Sequence, residues 1–430
     1  MTRISCWRLV AVSSFGFALT VASNSLDPAI FGHKVLQLAP DQPNTLLGFS
    51  TFAASILAIL MGPLVGSLSD SWLQKRGSRM LNFMIGVPVM LIALAGIALS
   101  TTISGFVLSM LLYRFGDHFT FSPFQALFSD FVPTQQLGEA AGIRSLLDIL
   151  ALLIGRFTAG ELIARAPQLG VRAVLMAAAI PGIALLLTLA ITFFSTRNMP
   201  LQTSKQTRSG STSRPKLSQL FNVDWNSEPS FRWWFINRLL YWAAFIILGT
   251  FLLFYIIDVI GLVEAEAQRF LARLSLILGG GILIISLPAG RLADRIGRKP
   301  LIVWACRLTA IGSMLMLTMR SLNALSVAGA FVGIGAGIYL SADFALLTEI
   351  VPRGEAGRYL GIANIASAGG GAIARLMGGL VIDPLNALTH TKSFGYLAIY
   401  ALASLLFILS ISAANELPDR ISHQAAPESD

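Results

Sequence analysis

Runs of about 20 apolar residues recur along the whole chain and are separated by short polar or charged connections. Such a run is the length that crosses the hydrocarbon core of a bilayer as an α-helix. Hydrophobic residues make up 55% of the 430 residues and charged residues only 12%, which excludes a water-exposed surface of ordinary polarity. Segments that alternate in polarity, as membrane β-strands do, are absent from the sequence. The sequence therefore predicts an all-α membrane protein.

The apolar runs predict twelve transmembrane helices with both termini on the same side of the membrane. The spans are predicted near residues 8–30, 45–68, 81–100, 104–127, 141–164, 173–195, 233–258, 268–290, 300–318, 323–347, 357–383 and 394–413. Lysine and arginine concentrate on the side of the termini, whereas the other side carries only Lys34, Arg165, Arg172, Arg269, Arg320 and Lys392. The positive-inside rule therefore predicts a multi-pass protein of the plasma (inner) membrane with both termini in the cytoplasm. The first apolar stretch is too long for a signal-peptide core, so it is predicted to be a retained helix.

The longest break in the apolar pattern lies near the middle of the chain. It contains the stretch TSKQTRSGSTSRPK, whose Ser, Thr and basic composition is typical of a flexible linker. We predict an N-terminal six-helix bundle at 1–196, a cytoplasmic linker at 197–230, a C-terminal six-helix bundle at 231–414 and a cytoplasmic tail at 415–430.

A short loop motif occurs once in each half of the chain. GPLVGSLSD, which ends at Asp70, matches SLPAGRLAD, which ends at Asp294, and this match aligns Gly66 with Gly290. An internal repeat of this kind is the mark of transporters built from two related halves.

A second, longer repeat is consistent with the first. ALFSDFVPTQQLGEAAGI matches ALLTEIVPRGEAGRYLGI and aligns Asp130 with Glu349. The same offset pairs Arg156 with Arg375. The two halves are therefore predicted to be pseudo-symmetric.

The loop motif resembles a known family. GRLADRIGRK, at residues 290–299, resembles the cytoplasmic loop signature of the major facilitator superfamily, and its partner occupies the matching loop of the first half. The resemblance covers nearly the whole chain and implies two six-helix bundles that alternate between inward-open and outward-open states around a midplane site. The longer first copy, SDSWLQKRGSR, and the loops FSDFVP and LTEIVP are similar to the sucrose-transporter and glycoside–cation symporter branches.

The repeated loops carry residues that suggest a gate. Their glycines are expected to let helix ends approach closely and turn sharply, and their aspartates to accept hydrogen bonds from a neighbouring helix N-terminus. Their basic residues are expected to bridge to Asp130 or Glu349 as a latch that breaks when the halves rock. The alternative is that the charges only fix topology and loop conformation. The predicted gating residues are Gly66, Asp70, Gly77, Arg79, Asp130, Gly290, Asp294, Arg295, Gly297, Arg298, Lys299 and Glu349.

Ionisable residues also occur at membrane depth, where each costs several kcal/mol unless it is paired or faces water. In the fourth span, Arg114, Asp117, His118, Phe121 and Gln125 follow helical spacing and form one polar stripe. The stripe predicts contact with a substrate or a proton. The alternative is a buried structural pair between Arg114 and Asp117.

Other spans extend the candidate pathway. In the first span Asn24 and Asp27 lie on one face, although Asp27 precedes a proline and can instead be a solvated cap. In the fifth span Asp148 lies four residues after Arg144, which is also the spacing of a simple intrahelical ion pair. The predicted pathway residues are Asn24, Asp27, Arg114, Asp117, His118, Asp148, Arg156, Asp343, Asn364 and Arg375.

Two arginines related by the repeat lie near the middle of the membrane. Arg156 has no acidic residue one helical turn away, so it needs a partner on another helix or an anionic group. Arg375 poses the same question, and Asp343 is its predicted partner. Such a pair of arginines favours a substrate with oxygen-rich or anionic groups.

Several function classes are excluded or not expected. Cys6 and Cys306 do not make a disulfide framework, and the four histidines lack the spacing of metal ligands. Nucleotide-binding loops and a hydrolase nucleophile motif are absent, so we expect neither an enzyme nor a cofactor or metal site. The net charge of +9 follows from the membrane topology rather than from a nucleic-acid partner. The expected partners are the lipid bilayer, a small-molecule substrate and a coupling ion, either a proton or sodium, and the chain is expected to be monomeric.

Three functions fit the sequence. The first is secondary active transport of a small polar solute, a sugar or glycoside, in which a carboxylate alternates between a salt-bridged and a protonated form. Asp117 is the first choice for this carboxylate, followed by Asp148 or Asp343. The second is efflux of lipophilic drugs or organic ions. The third is a non-transporting membrane assembly factor or receptor on the same fold, because a fold alone does not define a function.

Overall fold

Helices account for nearly all of the chain that the structure describes. This computed structural model describes residues 4–76, 78–133, 136–197, 229–318, 320–350 and 356–417, and none of these residues lies in a strand. The first half contains α1 (Cys6–Ser25), α2 (Phe31–Leu38), α3 (Pro43–Arg76), α4 (Met80–Leu99), α5 (Ile103–Phe131), α6 (Leu137–Ile163), α7 (Ala166–Leu169) and α8 (Val171–Thr196).

The second half repeats the pattern of long helices. Its helices are α9 (Pro229–Thr250), α10 (Leu252–Tyr255), α11 (Glu264–Ile296), α12 (Arg298–Thr318), α13 (Leu322–Ile350), α14 (Ala356–Thr389) and α15 (Phe394–Asn415). Two π-helical turns complete the list, at Leu26–Ile30 between α1 and α2 and at Ile256–Ile260 after α10. Each of the twelve predicted spans overlaps a long helix of the structure, and the spans at 8–30 and 233–258 each continue from an α-helix into a π-helical turn.

Most of these helices are apolar enough to cross a membrane. Within the described part of the chain, nine helices meet length and composition criteria for a span, and a bent pair, Pro229–Thr250 with Leu252–Ile260, makes a tenth. The two long helices that fall outside these criteria, α5 and α6, carry several charged side chains along their length. The structure therefore confirms an all-α membrane fold, while the crossing of all twelve predicted spans stays a prediction.

Large apolar side chains cover the outside of the helices. Leu108 is 68% exposed, Phe194 69% and Ile284 75%. Scattered apolar residues are normal on a soluble surface, but such side chains recur along most of the long helices here. A hydrocarbon environment is the solvent that satisfies such a surface.

The chain forms two compact units. The first comprises Met1–Thr212, Gly249–Leu276 and Arg375–Tyr396. The second comprises Ser213–Leu248, Ile277–Ala374 and Leu397–Asp430. The first unit thus includes α1 to α8 together with α10, the π-helical turn after it and end segments of other helices from the second half. The predicted division into two bundles, a linker and a tail stays a prediction, because most of the linker (198–228) and of the tail (418–430) lies outside the described residues.

In the first unit, α1 packs against α6 and α8, and α5 packs against α3 and α4. The rings of Phe15 and Phe83 meet edge to face with their centroids 4.7 Å apart, an arrangement that contributes about 1 kcal/mol beyond area burial. The α-helical path of the first span is interrupted at Asp27, whose backbone is extended (φ −112°, ψ 121°). A residue before a proline is pushed into this region because the proline ring clashes with a helical conformation, and Pro28 follows here.

In the second unit, α12 packs along α13. Aromatic residues fill the core beside them: the rings of Tyr241 and Tyr339 stack with centroids 3.5 Å apart, and Phe407 meets Tyr241 edge to face at 5.4 Å. The core of this unit therefore contains tyrosine hydroxyls, which need polar partners when they are buried.

Candidate transport pathway and gating residues

The loop between α3 and α4 holds a buried arginine against two acids. Arg79, only 7% exposed, donates from Nε to Asp130 Oδ2 at 2.7 Å and from Nη1 to Asp70 Oδ1 at 2.6 Å. It also donates to the Ser69 hydroxyl at 3.0 Å. Burial alone lowers the pKa of Arg79, but the hydrogen bonds and charges of Asp130 and Asp70 outweigh it and raise the pKa above its usual value. The predicted contact between Arg79 and Asp130 is therefore formed, while its role as a gate stays a prediction.

The matching loop of the second half turns at a glycine. Gly297, between α11 and α12, has φ +93°, a left-handed conformation that glycine adopts without a steric penalty. The sharp turn that the sequence predicts there is therefore present. Arg298 donates from Nη1 to the carbonyl of Ala345 on α13 at 2.7 Å.

The remaining gating residues of the second half give less information. Arg295 is exposed at the end of α11, and Lys299 is half-buried in the first turn of α12. Asp294 and Glu349 lie in helices, but their side chains are outside the described part of the structure, and so is all of Gly77. Their predicted contacts stay predictions.

The described residues show no close approach of helices at Gly66 or Gly290, so the approach predicted there stays a prediction. A Cβ atom built at either position meets no described atom within 4 Å. A close crossing lies elsewhere: a Cβ at Gly48 would stand 2.6 Å from the carbonyl oxygen of Arg375 and from the Cα of Gly379. Motif position alone could not reveal which glycine lies at a helix crossing.

Helix α5 carries the ion pair that the sequence offered as an alternative for its polar stripe. Arg114 Nη1 lies 3.4 Å from Asp117 Oδ2, and Asp117 is 7% exposed. The His118 ring lies beside the Phe121 ring, with centroids 6.3 Å apart. A distance of 3.4 Å is at the long end for a charged hydrogen bond, so the pair is loosely held although it is buried.

Helix α6 carries the second predicted intrahelical pair. Arg144 Nε lies 3.6 Å from Asp148 Oδ2, and the hydroxyl of Thr20 on α1 donates to Asp148 Oδ1 at 3.1 Å. The Asp148 side chain is 36% exposed and the Asp117 side chain only 10%, so the Asp148 carboxylate is less buried. The Arg144 guanidinium also lies over the Phe124 ring, 5.1 Å from its centroid.

The two repeat-related arginines both lie within electrostatic range of one acid. Arg156 Nε donates to Asn24 Oδ1 at 3.1 Å, and its Nη1 lies 3.5 Å from the hydroxyl of Ser275 on α11. Asp27, at the break after α1, interacts electrostatically with both Arg156 and Arg375. Arg156 thus finds its partners on other helices, as the sequence requires.

In the second unit, Asp343 pairs with an arginine that sequence reasoning did not single out. Arg238 on α9 donates from Nη1 to Asp343 Oδ2 and from Nε to the Ser367 hydroxyl at 2.7 Å. Its guanidinium lies 5.2 Å from the Trp234 ring centroid, and Asp343 is only 2% exposed. The structure therefore gives Asp343 a partner other than the predicted Arg375. A cation inside an apolar span was the signal that could have identified Arg238. Asn364 lies exposed on α14.

Sequence reasoning also did not predict a polar network at the predicted outer ends of the helices. Asp383 accepts hydrogen bonds from the Thr45 backbone N–H and from the Asn44 side chain, both at 2.7 Å, and so caps the start of α3. The Tyr396 hydroxyl donates to Asp258 Oδ2 at 2.6 Å. These partners are far apart in sequence, so no local sequence pattern predicts their contacts. Among the described residues, no group of three His, Cys, Asp or Glu side chains is placed to hold a metal ion.

Solved structures with the same arrangement of helices identify the fold of this protein. The structure superposes on that of a mutant of the nucleoside transporter NupG with a TM-score of 0.70 and 15% identity, covering 95% of this chain and 99% of that chain. It superposes on that of a D-xylose–proton symporter with a TM-score of 0.69 and 17% identity, covering 96% and 99%. The protein is a multi-pass integral membrane protein with the major facilitator fold, as the superfamily resemblance implied.

The sequence comparison identifies the family. The PUCC protein family model matches residues 43–421, and the chain belongs to that family. It is also 30% identical over 112 residues to an uncharacterized MFS-type transporter of Mycobacterium tuberculosis (strain ATCC 25618 / H37Rv), covering 26% of this chain and 16% of that protein. It is 32% identical over 146 residues to the multidrug resistance protein MdtL of Shewanella sp. (strain ANA-3), covering 34% of this chain and 36% of that protein.

The matches to these relatives are local, since the chain spans 16% of the length of the mycobacterial protein and 36% of that of MdtL. The mycobacterial relative is named as a transporter, and the two solved structures are those of a transporter and a symporter. The prediction that the chain is not an enzyme is therefore confirmed. The resemblance to the sucrose and glycoside–cation branches stays a prediction.

Proposed function

We propose that this protein is a secondary active transporter that moves a small polar solute by ion-coupled alternating access. The observation that supports the proposal is the set of charged side chains within long apolar helices of a major facilitator fold: the Arg114–Asp117 pair on α5, the Arg238–Asp343 pair, and Asp27 near two arginines. Charges at membrane depth are costly and mark solute and ion pathways.

Asp117 is the carboxylate that we propose to carry the coupling proton. When it is charged, it is held by Arg114 at 3.4 Å. Protonation removes its charge and releases Arg114, whose guanidinium can then contact the solute. The loose geometry favours this exchange, because little hydrogen-bond energy is lost when the pair separates. Asp148 and Asp343 are the next candidates, and sodium is the alternative coupling ion.

We propose a sugar or glycoside as the solute. The repeated loops that resemble sucrose and glycoside–cation symporters support this choice, and so do the side chains near Arg156. Asn24 and Ser275 supply amide and hydroxyl groups there, and hydroxyl-rich solutes exchange hydrogen bonds with such groups. The protein would work as a monomer in the plasma (inner) membrane, with both termini in the cytoplasm.

Efflux of lipophilic drugs or organic ions is the second candidate. The stretch that is 32% identical to MdtL of Shewanella favours it. The direction of transport distinguishes the two candidates, since an importer concentrates its solute on the cytoplasmic side and an exporter on the opposite side.

The test is proton-driven uptake by the full-length protein in proteoliposomes, with a panel of radiolabelled sugars and glycosides. Asp117→Asn is expected to abolish accumulation that depends on the pH gradient while leaving membrane insertion unchanged, because asparagine keeps the shape but cannot take up a proton. Asp41→Asn, at an exposed position between α2 and α3, is the matched control and is expected to transport normally. Undiminished gradient-driven accumulation by Asp117→Asn contradicts the assigned role. Absence of flux for every solute favours a non-transporting assembly factor or receptor.

A further inference from the structure

We propose that Arg156 and Arg375 form a binding subsite for a carboxylate or phosphate group of the solute, and that Asp27 acts as an internal counter-ion near this subsite until the solute anion takes over that role. The inference rests on the proposed transport function and narrows its substrate class to polar solutes that carry an anionic group, such as sugar acids or sugar phosphates.

The two guanidinium groups have donors to spare. A guanidinium carries five N–H donors in a planar fork that matches carboxylate and phosphate oxygens. Arg156 uses one donor at good distance, towards Asn24, and one at 3.5 Å, towards Ser275. The Nε atom of Arg375 is buried without a hydrogen-bond partner among the described residues. A buried unpaired donor on a cation is costly, and an anionic ligand would satisfy it.

The charges around this site do not balance. Arg156 and Arg375 both interact electrostatically with Asp27, and Arg375 also interacts with Arg114. Arg114 is already paired with Asp117. These five groups comprise three cations and two carboxylates, so together they carry an excess of one positive charge among apolar helices, which raise the cost of unpaired ions. One anionic group supplies the missing charge.

Asp27 is well placed to leave the arginines. Its backbone is extended inside the π-helical turn that follows α1, so its side chain can reorient without breaking a continuous α-helix. Pro28 and Arg156 also line one small cavity together with Gly160, Gln268 and Ser275. The counter-ion segment, one arginine and an adjoining cavity are thus contiguous, which is the arrangement that an exchange between Asp27 and a ligand anion requires.

The experiment measures anion binding to the purified full-length protein in nanodiscs by isothermal titration calorimetry. The probes are inorganic phosphate, D-gluconate and D-glucose 6-phosphate, and neutral D-glucose is the matched control. We expect the anions to bind and glucose to bind more weakly. Arg156→Gln and Arg375→Gln should each weaken anion binding by about tenfold or more, because each removes charge-assisted hydrogen bonds. Arg269→Gln, a half-exposed arginine outside the cluster, should leave binding unchanged.

The Asp27→Asn variant tests the counter-ion role of Asp27 directly. Removing the internal competitor should tighten anion binding by about tenfold, and it should lower the thermal unfolding midpoint in the absence of anions, with recovery on addition of phosphate. Arg375→Lys keeps the charge but not the fork, so partial binding by this variant separates ligand recognition from a folding defect. Anions that bind no better than glucose, or that bind equally well to the glutamine variants, overturn the proposal. Weaker anion binding by Asp27→Asn overturns the counter-ion role.

The two proposals fail in different ways. If neutral sugars accumulate and Asp117→Asn abolishes this, while Arg156→Gln and Arg375→Gln have no effect on anions, the transport function stands and the anion subsite is refuted. If anions bind in an arginine-dependent way but no gradient drives their uptake, the subsite stands and the transport function fails.

Discussion

Replacing Arg79 with glutamine tests how much of the stability of the first repeat loop comes from one buried ion pair. Arg79 contacts two acids that differ sharply in exposure: the Asp130 side chain is 6% exposed and the Asp70 side chain is 62% exposed. Removing one partner of a buried pair leaves the other charge unpaired and costs about 3–5 kcal/mol. An exposed pair contributes only about 0.2–1 kcal/mol, even at the 2.6 Å separation of Arg79 and Asp70.

The geometry supports the larger value for Asp130. Arg79 donates from Nε at 2.7 Å and from Nη2 at 3.5 Å to the two carboxylate oxygens, a side-on arrangement that uses both. We therefore expect a double-mutant-cycle coupling of about 3 kcal/mol for Arg79 with Asp130 and below about 1 kcal/mol for Arg79 with Asp70.

The assay is denaturant unfolding of the purified protein in mixed micelles, followed by tryptophan fluorescence. The variants are Arg79→Gln, Asp130→Asn, Asp70→Asn and the two double variants, with Lys75→Gln as an exposed control. Equal coupling energies for the two acids, or a loss below about 1 kcal/mol on Asp130→Asn, would show that burial does not decide the strength of this contact.

Two further contacts give sharp expectations. Asp343→Leu should destabilise the protein by about 3 kcal/mol in the same unfolding assay, because it leaves the charge of Arg238 buried without its partner. The double variant with Arg238→Met should recover most of that loss. A double variant that is less stable than Asp343→Leu alone contradicts this expectation. Gly48→Ala should destabilise the protein by about 1–3 kcal/mol, because the new Cβ would stand 2.6 Å from backbone atoms of a neighbouring helix. Gly62→Ala, with no described atom within 4 Å of its Cβ, should be neutral or slightly stabilising. A larger loss of stability for Gly62→Ala than for Gly48→Ala excludes the close helix crossing at Gly48.

The sequence predicted helix positions well where the length of an apolar run sets the ends of the helix. The span predicted at 81–100 corresponds to α4 at Met80–Leu99, and that at 323–347 to α13 at Leu322–Ile350. The first span was predicted to end at 30, yet helical structure continues to Leu38. The extension carries His33 and Lys34, which look like loop residues in sequence. His33 lies 2.7 Å from Glu264, and Lys34 donates to the Ser100 carbonyl at 2.8 Å.

The contacts of the candidate site also fall into two groups, those that local sequence predicts and those that depend on tertiary structure. Pairs one helical turn apart, such as Arg114 with Asp117, are visible in sequence because helix geometry alone brings them together. The partner of Asp343 is not, because Arg238 lies 105 residues away and only the packing of two helices joins them. The electrostatic contact of Asp27 with Arg375 likewise depends on tertiary structure.

Solute accumulation against a gradient tests transport most directly. Proteoliposomes that contain the unmodified protein are given an imposed proton or sodium gradient and a panel of labelled sugars, glycosides and sugar acids. We predict that at least one solute accumulates above its external concentration and that an ionophore which dissipates the gradient releases it. Entry that stops at equal concentrations, or no entry of any solute under either gradient, would contradict ion-coupled alternating access.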